Sequence, residues 1–184
     1  MGSFIPLSTS SGENLLIGNN SSASGSSGFV SADSLAPGSP AGELARDRYF
    51  REAALSWVTQ NPADAVQLYL AKVANYFNPY TPPATASQGG SFALVVSWLA
   101  VLVLASLVAV RVLHPRLRPV HETEQLFIGL FFLNAPVMAV FFTRMRFRQP
   151  LDATMVVVAA VPVAVAIGSW LAHRPQRRRG REIR

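Results

Sequence analysis

The sequence predicts an all-α membrane protein: an exocytoplasmic loop with two amphipathic helices, followed by three transmembrane helices. The main observation is that the hydrophobic segments 92–112, 126–142 and 153–172 are each apolar enough to cross a bilayer. A hydrocarbon core of about 30 Å needs roughly 20 helical residues, and the shortest segment fits with some tilt. Two further observations support this class. Helical periodicity runs on both sides of Asn61-Pro62, and arginines border the hydrophobic segments.

The first 40 residues are predicted to form a loop, because 8–40 are rich in Ser, Gly, Asn and Ala and resemble a flexible linker. One stretch departs from that composition. The short apolar run at 14–17 ends in the turn residues Gly18, Asn19 and Asn20. Such a run before turn residues is typical of a strand or extended segment that enters a tight turn.

Two amphipathic helices are predicted over about 41–60 and 62–77, with Pro62 in the first turn of the second and Asn61 as its cap. The first has an imperfect apolar stripe of Leu44, Tyr49, Ala53, Leu55 and Trp57, and the second places Val66, Leu70, Val73 and Phe77 on one side. Aromatic residues at the end of the second helix are typical of a membrane interface. The pair is therefore expected to lie at or near the membrane surface.

The second hydrophobic segment contains Asn134 and Pro136. A proline kink inside a span is tolerated when a neighbouring helix satisfies the freed carbonyl. We interpret Asn134 as the donor or acceptor of a hydrogen bond between helices. The three segments contain no Asp, Glu, Lys or His, residues that usually mark intramembrane pathways, which disfavours a channel or transporter.

Charge predicts the orientation. Residues 1–91 have a net charge of −2 and residues 92–184 a net charge of +8. Placing 1–91 outside puts nine span-flanking arginines in the cytoplasm and three outside, which the positive-inside rule favours. The chain then divides into an exocytoplasmic segment 1–91, a transmembrane region 92–172 and a basic cytoplasmic tail 173–184. The predicted location is the plasma (inner) membrane, and the arginines are assigned to topology and lipid headgroups, not to nucleic acid.

Three arginines oppose this rule: Arg144, Arg146 and Arg148 lie in the turn predicted to be outside. One interpretation is that they snorkel and are solvated. The other is anion binding, because the guanidinium fork binds phosphate bidentately, and at a bilayer surface a phosphate belongs to a lipid. Along an extended stretch, alternation would aim two of the three side chains the same way.

Residues for other chemistry are sparse. There is no cysteine, so disulfides and thiolate metal sites are excluded. The three histidines lie in basic flanks and suggest no metal site, and Asp33, Asp47 and Asp64 match no general-base motif. We therefore predict no catalytic residue, no metal ligand and no cofactor.

Three segments carry a family resemblance: 11–20 (SGENLLIGNN) followed by 23–25, then 43–55 with Asn61-Pro62 and Lys72, and finally 144–152 (RMRFRQPLD). Their order resembles the C-terminal portion of bacterial integral-membrane glycosyltransferases of the GT-C type. The match is with the protein O-mannosyltransferase and aminoarabinose-transferase group, glycosyltransferase family 39 and its relatives.

The resemblance implies a polyprenyl-phosphate sugar as lipid donor and transfer of a hexose or pentose on the exocytoplasmic side. It implies that Arg146 and Arg148, with Arg144 beside them, contact the lipid phosphate. It also implies that Asn19 and Asn20 shape the outer loop over the site. Fixed arginines in a water-poor site would stabilise the negative charge that develops on a departing phosphate.

The sequence departs from the family at one point. The family has its catalytic Asp in the first outer loop, and this chain has no equivalent carboxylate pair. We therefore expect the C-terminal part of a longer protein, inactive alone, or a half that pairs with a catalytic N-terminal half on another chain. The alternative is a non-enzymatic small membrane scaffold or assembly subunit.

Overall fold

The computed structural model describes residues 10–25, 30–79, 90–117, 119–143 and 145–173. These residues form seven α-helices and one short 3-10 helix, Pro115–Leu117. The α-helices are α1 (Ser11–Gly18), α2 (Ala32–Leu35), α3 (Glu43–Gln60), α4 (Pro62–Tyr76), α5 (Gly90–Leu113), α6 (Glu122–Ala139) and α7 (Met145–Ala172). No strand occurs in the described ranges, so the all-α prediction is confirmed there.

The predicted strand or extended segment at 14–17 is wrong, because these residues lie inside α1. Asparagine side chains close the last turn of this helix. Asn20 Nδ2 donates to the carbonyls of Leu16 and Ile17, at 2.9 and 3.0 Å, and Asn19 Nδ2 donates to Leu15 O at 2.8 Å. The carbonyls that a short helix leaves unpaired are thus satisfied locally.

Two helices are present where they were predicted, as α3 and α4, with bounds within two residues of those predicted. Pro62 is in the first turn of α4 as expected. Asn61 occupies the N-cap position of α4 as predicted, and its carbonyl accepts from Ala65 N at 2.9 Å. Its side chain makes no cap bond to α4 and donates to Trp57 O at 3.0 Å, so it also helps to end α3.

The buried face of α3 differs from the predicted stripe. Its buried residues are Asp47, Phe50 and Ala54, whereas Leu44 and Leu55 stay exposed. Phe50 and Ala54 form a small apolar core with Leu16 of α1 and Ala32 of α2. This face is buried because α1 packs on it, and the periodicity of α3 alone cannot predict where α1 packs.

Asp47 holds α1 on α3. Its Oδ1 accepts from the backbone N–H of Gly12 at 2.5 Å and from Ser11 Oγ at 3.1 Å. Arg51, one turn further along α3, pairs with the other carboxylate oxygen. The first N–H groups of a helix lack intrahelical partners and attract negative charge, so a carboxylate at this end of α1 is stabilising. Asp47 is thus a structural anchor.

In the described part of the chain, two helices are long and apolar enough to cross a membrane: Phe92–Leu113 within α5 and Arg148–Ala172 within α7. No residue in the most apolar window of α5 is buried by the protein. The predicted segments 92–112 and 153–172 lie inside these helices. The predicted segment 126–142 matches less well, because α6 ends at Ala139 and begins with Glu122 and Glu124 in its first turn.

A salt bridge joins α5 to α6 at one end. Arg111 is buried and contacts both carboxylate oxygens of Glu124, with Nε–Oε1 at 2.8 Å. Glu124 also accepts from the backbone N–H of His121 at 2.8 Å, completing a capping box at the start of α6. The Arg111 guanidinium holds the pKa of the Glu124 carboxyl below its ordinary value.

Helix α4 packs along α6. Tyr69 Oη donates to Pro136 O at 3.2 Å, and Tyr76 Oη donates to Phe131 O at 3.1 Å. Asn134 Nδ2 donates to Tyr76 Oη at 3.2 Å, so the predicted interhelical hydrogen bond of Asn134 is confirmed. The proline frees the carbonyl of Phe132, and the α4 tyrosines donate to carbonyls on either side of it.

Candidate functional site

Five polar residues from distant parts of the chain meet where the α1–α4 region contacts the α6–α7 turn. We call this set the polar junction: Asn19, Lys72, Asn75, Thr143 and Arg148. Its members come from the end of α1, from α4, from the α6–α7 turn and from the start of α7.

Asn19 links three elements of this junction. Its Nδ2 donates to Val140 O at 2.9 Å, just after α6, and its Oδ1 accepts from Lys72 Nζ at 2.8 Å. Gly18, directly before it, lies so close to α6 that a Cβ there would fall 1.7 Å from Phe141 O. The end of α1 is therefore in direct backbone contact with the end of α6.

Lys72 is the charged centre of the junction. It is only 1% exposed, and burial lowers the pKa of its ammonium group from 10.5 to about 8. Among the described residues no carboxylate forms an ion pair with it. A buried ammonium without a counter-ion is costly, and such groups are found at functional sites more often than elsewhere.

Thr143 fixes the α6–α7 turn onto α4. Its hydroxyl lies 3.0 Å from Lys72 O and 3.1 Å from Gly25 O, and it accepts from Asn75 Nδ2 at 3.1 Å. Gly25 has a φ of +87°, a conformation that favours glycine, and this orients its carbonyl within reach of Thr143. The turn is therefore held by both side chains and backbone.

Arg148 is 4% exposed and bonded within the protein. Its Nη1 donates to Tyr76 O at 2.5 Å and to Asn78 O at 3.4 Å, and its Nε lies 2.9 Å from Asp152 Oδ1. The guanidinium carbon is also 5.9 Å from the centre of the Tyr76 ring. Arg148 thus satisfies carbonyls at the C-terminal end of α4, where a cation is favoured.

An apolar cavity of about 480 Å³ lies beside this arginine, between α5, α6 and α7. Its walls are mainly Val, Leu, Ala and Phe side chains, among them Phe77 and Phe131, and Arg148 and Asp152 are the charged residues that line it. Because Arg148 and Asp152 pair with each other, the lining is apolar with one neutral ion pair, and an elongated apolar group matches it.

The predicted phosphate-binding arginines do not form an extended stretch. Arg144 lies outside the described residues, and α7 begins at Met145. Arg146 is in the first turn of α7, and its side chain lies outside the described part. Positions two apart in a helix are separated by about 200°, so the alternation of an extended strand does not apply to positions 146 and 148. The expected alternation is therefore wrong, whereas the phosphate contact itself stays a prediction.

Asn19 and Asn20 both shape the segment after α1. Asn19 bonds to α6 and Lys72, whereas Asn20 closes the following turn by accepting from Ser22 N at 2.8 Å and Ser22 Oγ at 2.7 Å. That this turn covers a lipid-donor site stays a prediction.

Lys72 was recognised in the sequence only through the family resemblance, and the roles of Thr143 and Asn75 were missed. One signal was present: Lys72 is the single lysine, and it lies one turn from Leu68 and Tyr76, so it shares their helix face. Leu68, Lys72 and Tyr76 are the buried residues of α4.

Within its described residues, the protein is all-helical and has two helices that can cross a membrane. No family model, no curated protein and no solved structure matches the chain.

Proposed function

We propose that this chain is the C-terminal part of a membrane glycosyltransferase that uses a polyprenyl-phosphate sugar. The observation that carries the proposal is that the first and third segments of the family resemblance both bond to α4, the helix that contains Lys72 of the second segment. Asn19 of the first segment bonds to Lys72 of the second, and Arg148 of the third bonds to Tyr76, one turn beyond Lys72. Segments with a shared function are expected to converge in this way.

The proposed topology has three spans: α5, α6 with the residues that follow it, and α7. Support comes from the large apolar side chains exposed along all three helices, since a soluble protein rarely exposes a continuous apolar surface of this extent. The positive-inside rule places the α1–α4 region outside and the C-terminus in the cytoplasm of a multi-pass protein of the plasma membrane.

The proposed donor site is the apolar cavity beside Arg148. The isoprenoid chain would lie among the Val, Leu, Ala and Phe side chains, with its phosphate at the N-terminal end of α7. Arg144 and Arg146 supply positive charge at this end, and Arg148 keeps α4 in place while lining the cavity. Charge that develops on the departing phosphate is then stabilised by fixed cations.

The general base is proposed to come from a catalytic N-terminal part, on the same chain or on a partner chain. Several described carboxylates already have structural roles in ion pairs, namely Asp33, Asp47, Glu124 and Asp152. The contribution of this part is therefore binding and orientation of the donor.

The test is binding of undecaprenyl phosphate and of undecaprenol to the purified chain in nanodiscs. We expect the phosphate to bind more tightly than the alcohol, and R144A/R146A to remove this preference by weakening phosphate binding about tenfold, or about 1.4 kcal/mol. R116A is the matched control, because Arg116 is exposed in the 3-10 helix between α5 and α6.

Equal binding of phosphate and alcohol, or an effect of R116A as large as that of R144A/R146A, would contradict the donor site. The arginines would then be snorkelling groups, and the scaffold or assembly subunit would be the better explanation. Inorganic phosphate as a competitor separates recognition of the headgroup from recognition of the lipid: competition is expected only at high concentration.

A further inference from the structure

A second cavity, of about 390 Å³, lies in the α1–α4 region and differs in chemistry from the apolar one. It is formed by the turn after α1, the end of α3 and one face of α4. Its volume is within the range of small-molecule sites, about 300–1,000 Å³. The polar residues used below are Ser21, Ser24, Trp57, Asn61, Asp64 and Gln67.

The walls of this cavity are fixed by secondary structure. Asp64, Gln67 and Ala71 share one face of α4, because residues three and four apart are neighbours on a helix. Asn61 is held by its bond to Trp57 O, and Asn20 on the opposite wall is held by carbonyls of α1. The polar groups are thus presented from rigid positions.

Several of these groups are left without a partner by the described residues, and Asp64 and Gln67 among them are exposed to solvent. Within the part of the chain that the structure describes, no hydrogen bond or ion pair is recorded for the side chains of Trp57, Asp64 and Gln67, nor for the hydroxyls of Ser21 and Ser24. The cavity therefore offers an indole N–H donor, a carboxylate acceptor, an amide that donates and accepts, and two hydroxyls.

The charge of the lining residues limits the chemical class of ligand that could bind in the cavity. Among the described residues that line the cavity there is no Arg, Lys or His and one acidic residue, Asp64, so a phosphate or carboxylate ligand is disfavoured. The half-buried Trp57 supplies an apolar aromatic surface with a polar edge. A sugar matches both features, since its ring has an apolar C–H face and its hydroxyls donate and accept hydrogen bonds.

We propose that the cavity between Asn20, Trp57 and Gln67 binds a neutral sugar residue. This inference goes beyond the proposed donor site, because the described residues that line this cavity differ from those of the apolar cavity and the ligand needs no lipid. It is adjacent to the polar junction: Asn20 lines the cavity, and its neighbour Asn19 bonds to Lys72.

The experiment uses the full chain with W98F and W170F, which leaves Trp57 as the single tryptophan. Mannose, glucose, galactose and N-acetylglucosamine are titrated separately in detergent while the Trp57 emission is recorded. We expect a saturable change with at least one sugar. D64N and Q67A should each weaken that sugar's binding about tenfold, because each removes a hydrogen-bond partner of the ligand.

Q60A is the matched control, because Gln60 is a glutamine at the end of α3 outside the cavity, bonded to Ser56. It should leave the titration unchanged, and so should R144A/R146A, which distinguishes failure of this site from failure of the donor site. The proposal is overturned if none of the four sugars gives saturation, or if D64N and Q67A bind as tightly as Q60A. Circular dichroism of each variant verifies that it is folded.

Discussion

The ammonium nitrogen of Lys72 lies 2.8 Å from Oδ1 of Asn19, and both residues are buried at the contact between α1, α4 and the end of α6. This bond satisfies one of the three N–H groups of the lysine. It also joins residues 53 positions apart in sequence. The stability of the contact between the α1–α4 region and α6–α7 should therefore depend on whether Lys72 is charged.

The first prediction concerns the pH dependence of stability. Burial lowers the Lys72 pKa from 10.5 to about 8, so the unfolded chain binds more protons than the folded one between these values. The free energy of unfolding should therefore rise as the pH is raised from about 8 to 10.5, by roughly 3 kcal/mol at most. Thermal unfolding in detergent, followed by circular dichroism, measures the rise.

K72M is the control variant for this measurement, because methionine keeps most of the side-chain volume of lysine and cannot be charged. We expect it to remove the rise in melting temperature above pH 8. If K72M and the unsubstituted chain show the same rise, another group is responsible and the assignment to Lys72 is wrong.

The second prediction concerns Gly18. A Cβ at this position would lie 1.7 Å from Phe141 O, and backbone cannot move aside as the end of a side chain can. G18A should therefore separate α1 from the end of α6 and lower stability by several kcal/mol, about the size of a severe packing defect. Limited proteolysis of the α1–α4 region should accelerate in parallel.

G129A is the matched control for Gly18. Gly129 is in the middle of α6, and a Cβ there meets nothing within 4 Å. Because alanine is a better helix former, G129A should be neutral or stabilising by about 0.5–1 kcal/mol. Equal stability of G18A and G129A would show that the backbone contact between α1 and Phe141 is not maintained in solution.

The third prediction concerns the contribution of Arg148 to stability through its ion pair with Asp152. R148A leaves Asp152 without its ion-pair partner and removes the donor to Tyr76 O, so we expect a loss of about 3–5 kcal/mol. In a double-mutant cycle, R148A/D152A should cost less than the sum of the single variants. Additive effects would mean that the pair contributes no coupling energy.

The fourth prediction concerns the salt bridge between Arg111, at the end of α5, and Glu124, at the start of α6. Because Arg111 lowers the Glu124 pKa, this carboxylate stabilises the fold above its unfolded pKa of about 4.5. The stability is lost as the pH falls through the lower folded pKa. E124Q should abolish this acid-dependent step in the melting temperature. E122Q, at an exposed neighbour in the same turn, should retain it, and loss of the step in both variants would contradict the assignment.

Periodicity predicted helices well where a pattern was long. The bounds of α3 and α4 and the two long apolar helices follow from repeating side-chain character and from Asn61-Pro62, which are local features. The four-residue apolar run at 14–17 was too short to distinguish strand from helix. It became α1 through its contacts with Asp47, which lies 35 residues from Gly12.

The sequence by itself determined that the chain is helical and which segments are apolar enough for a membrane, because composition and period are properties of neighbouring residues. Only the tertiary structure decided which helix faces are buried, that Lys72 is buried without an ion pair to any described carboxylate, and that Arg148 bonds to the end of α4. These features depend on carbonyls and side chains about 50 to 120 positions away, and a local pattern contains no information on such distant partners.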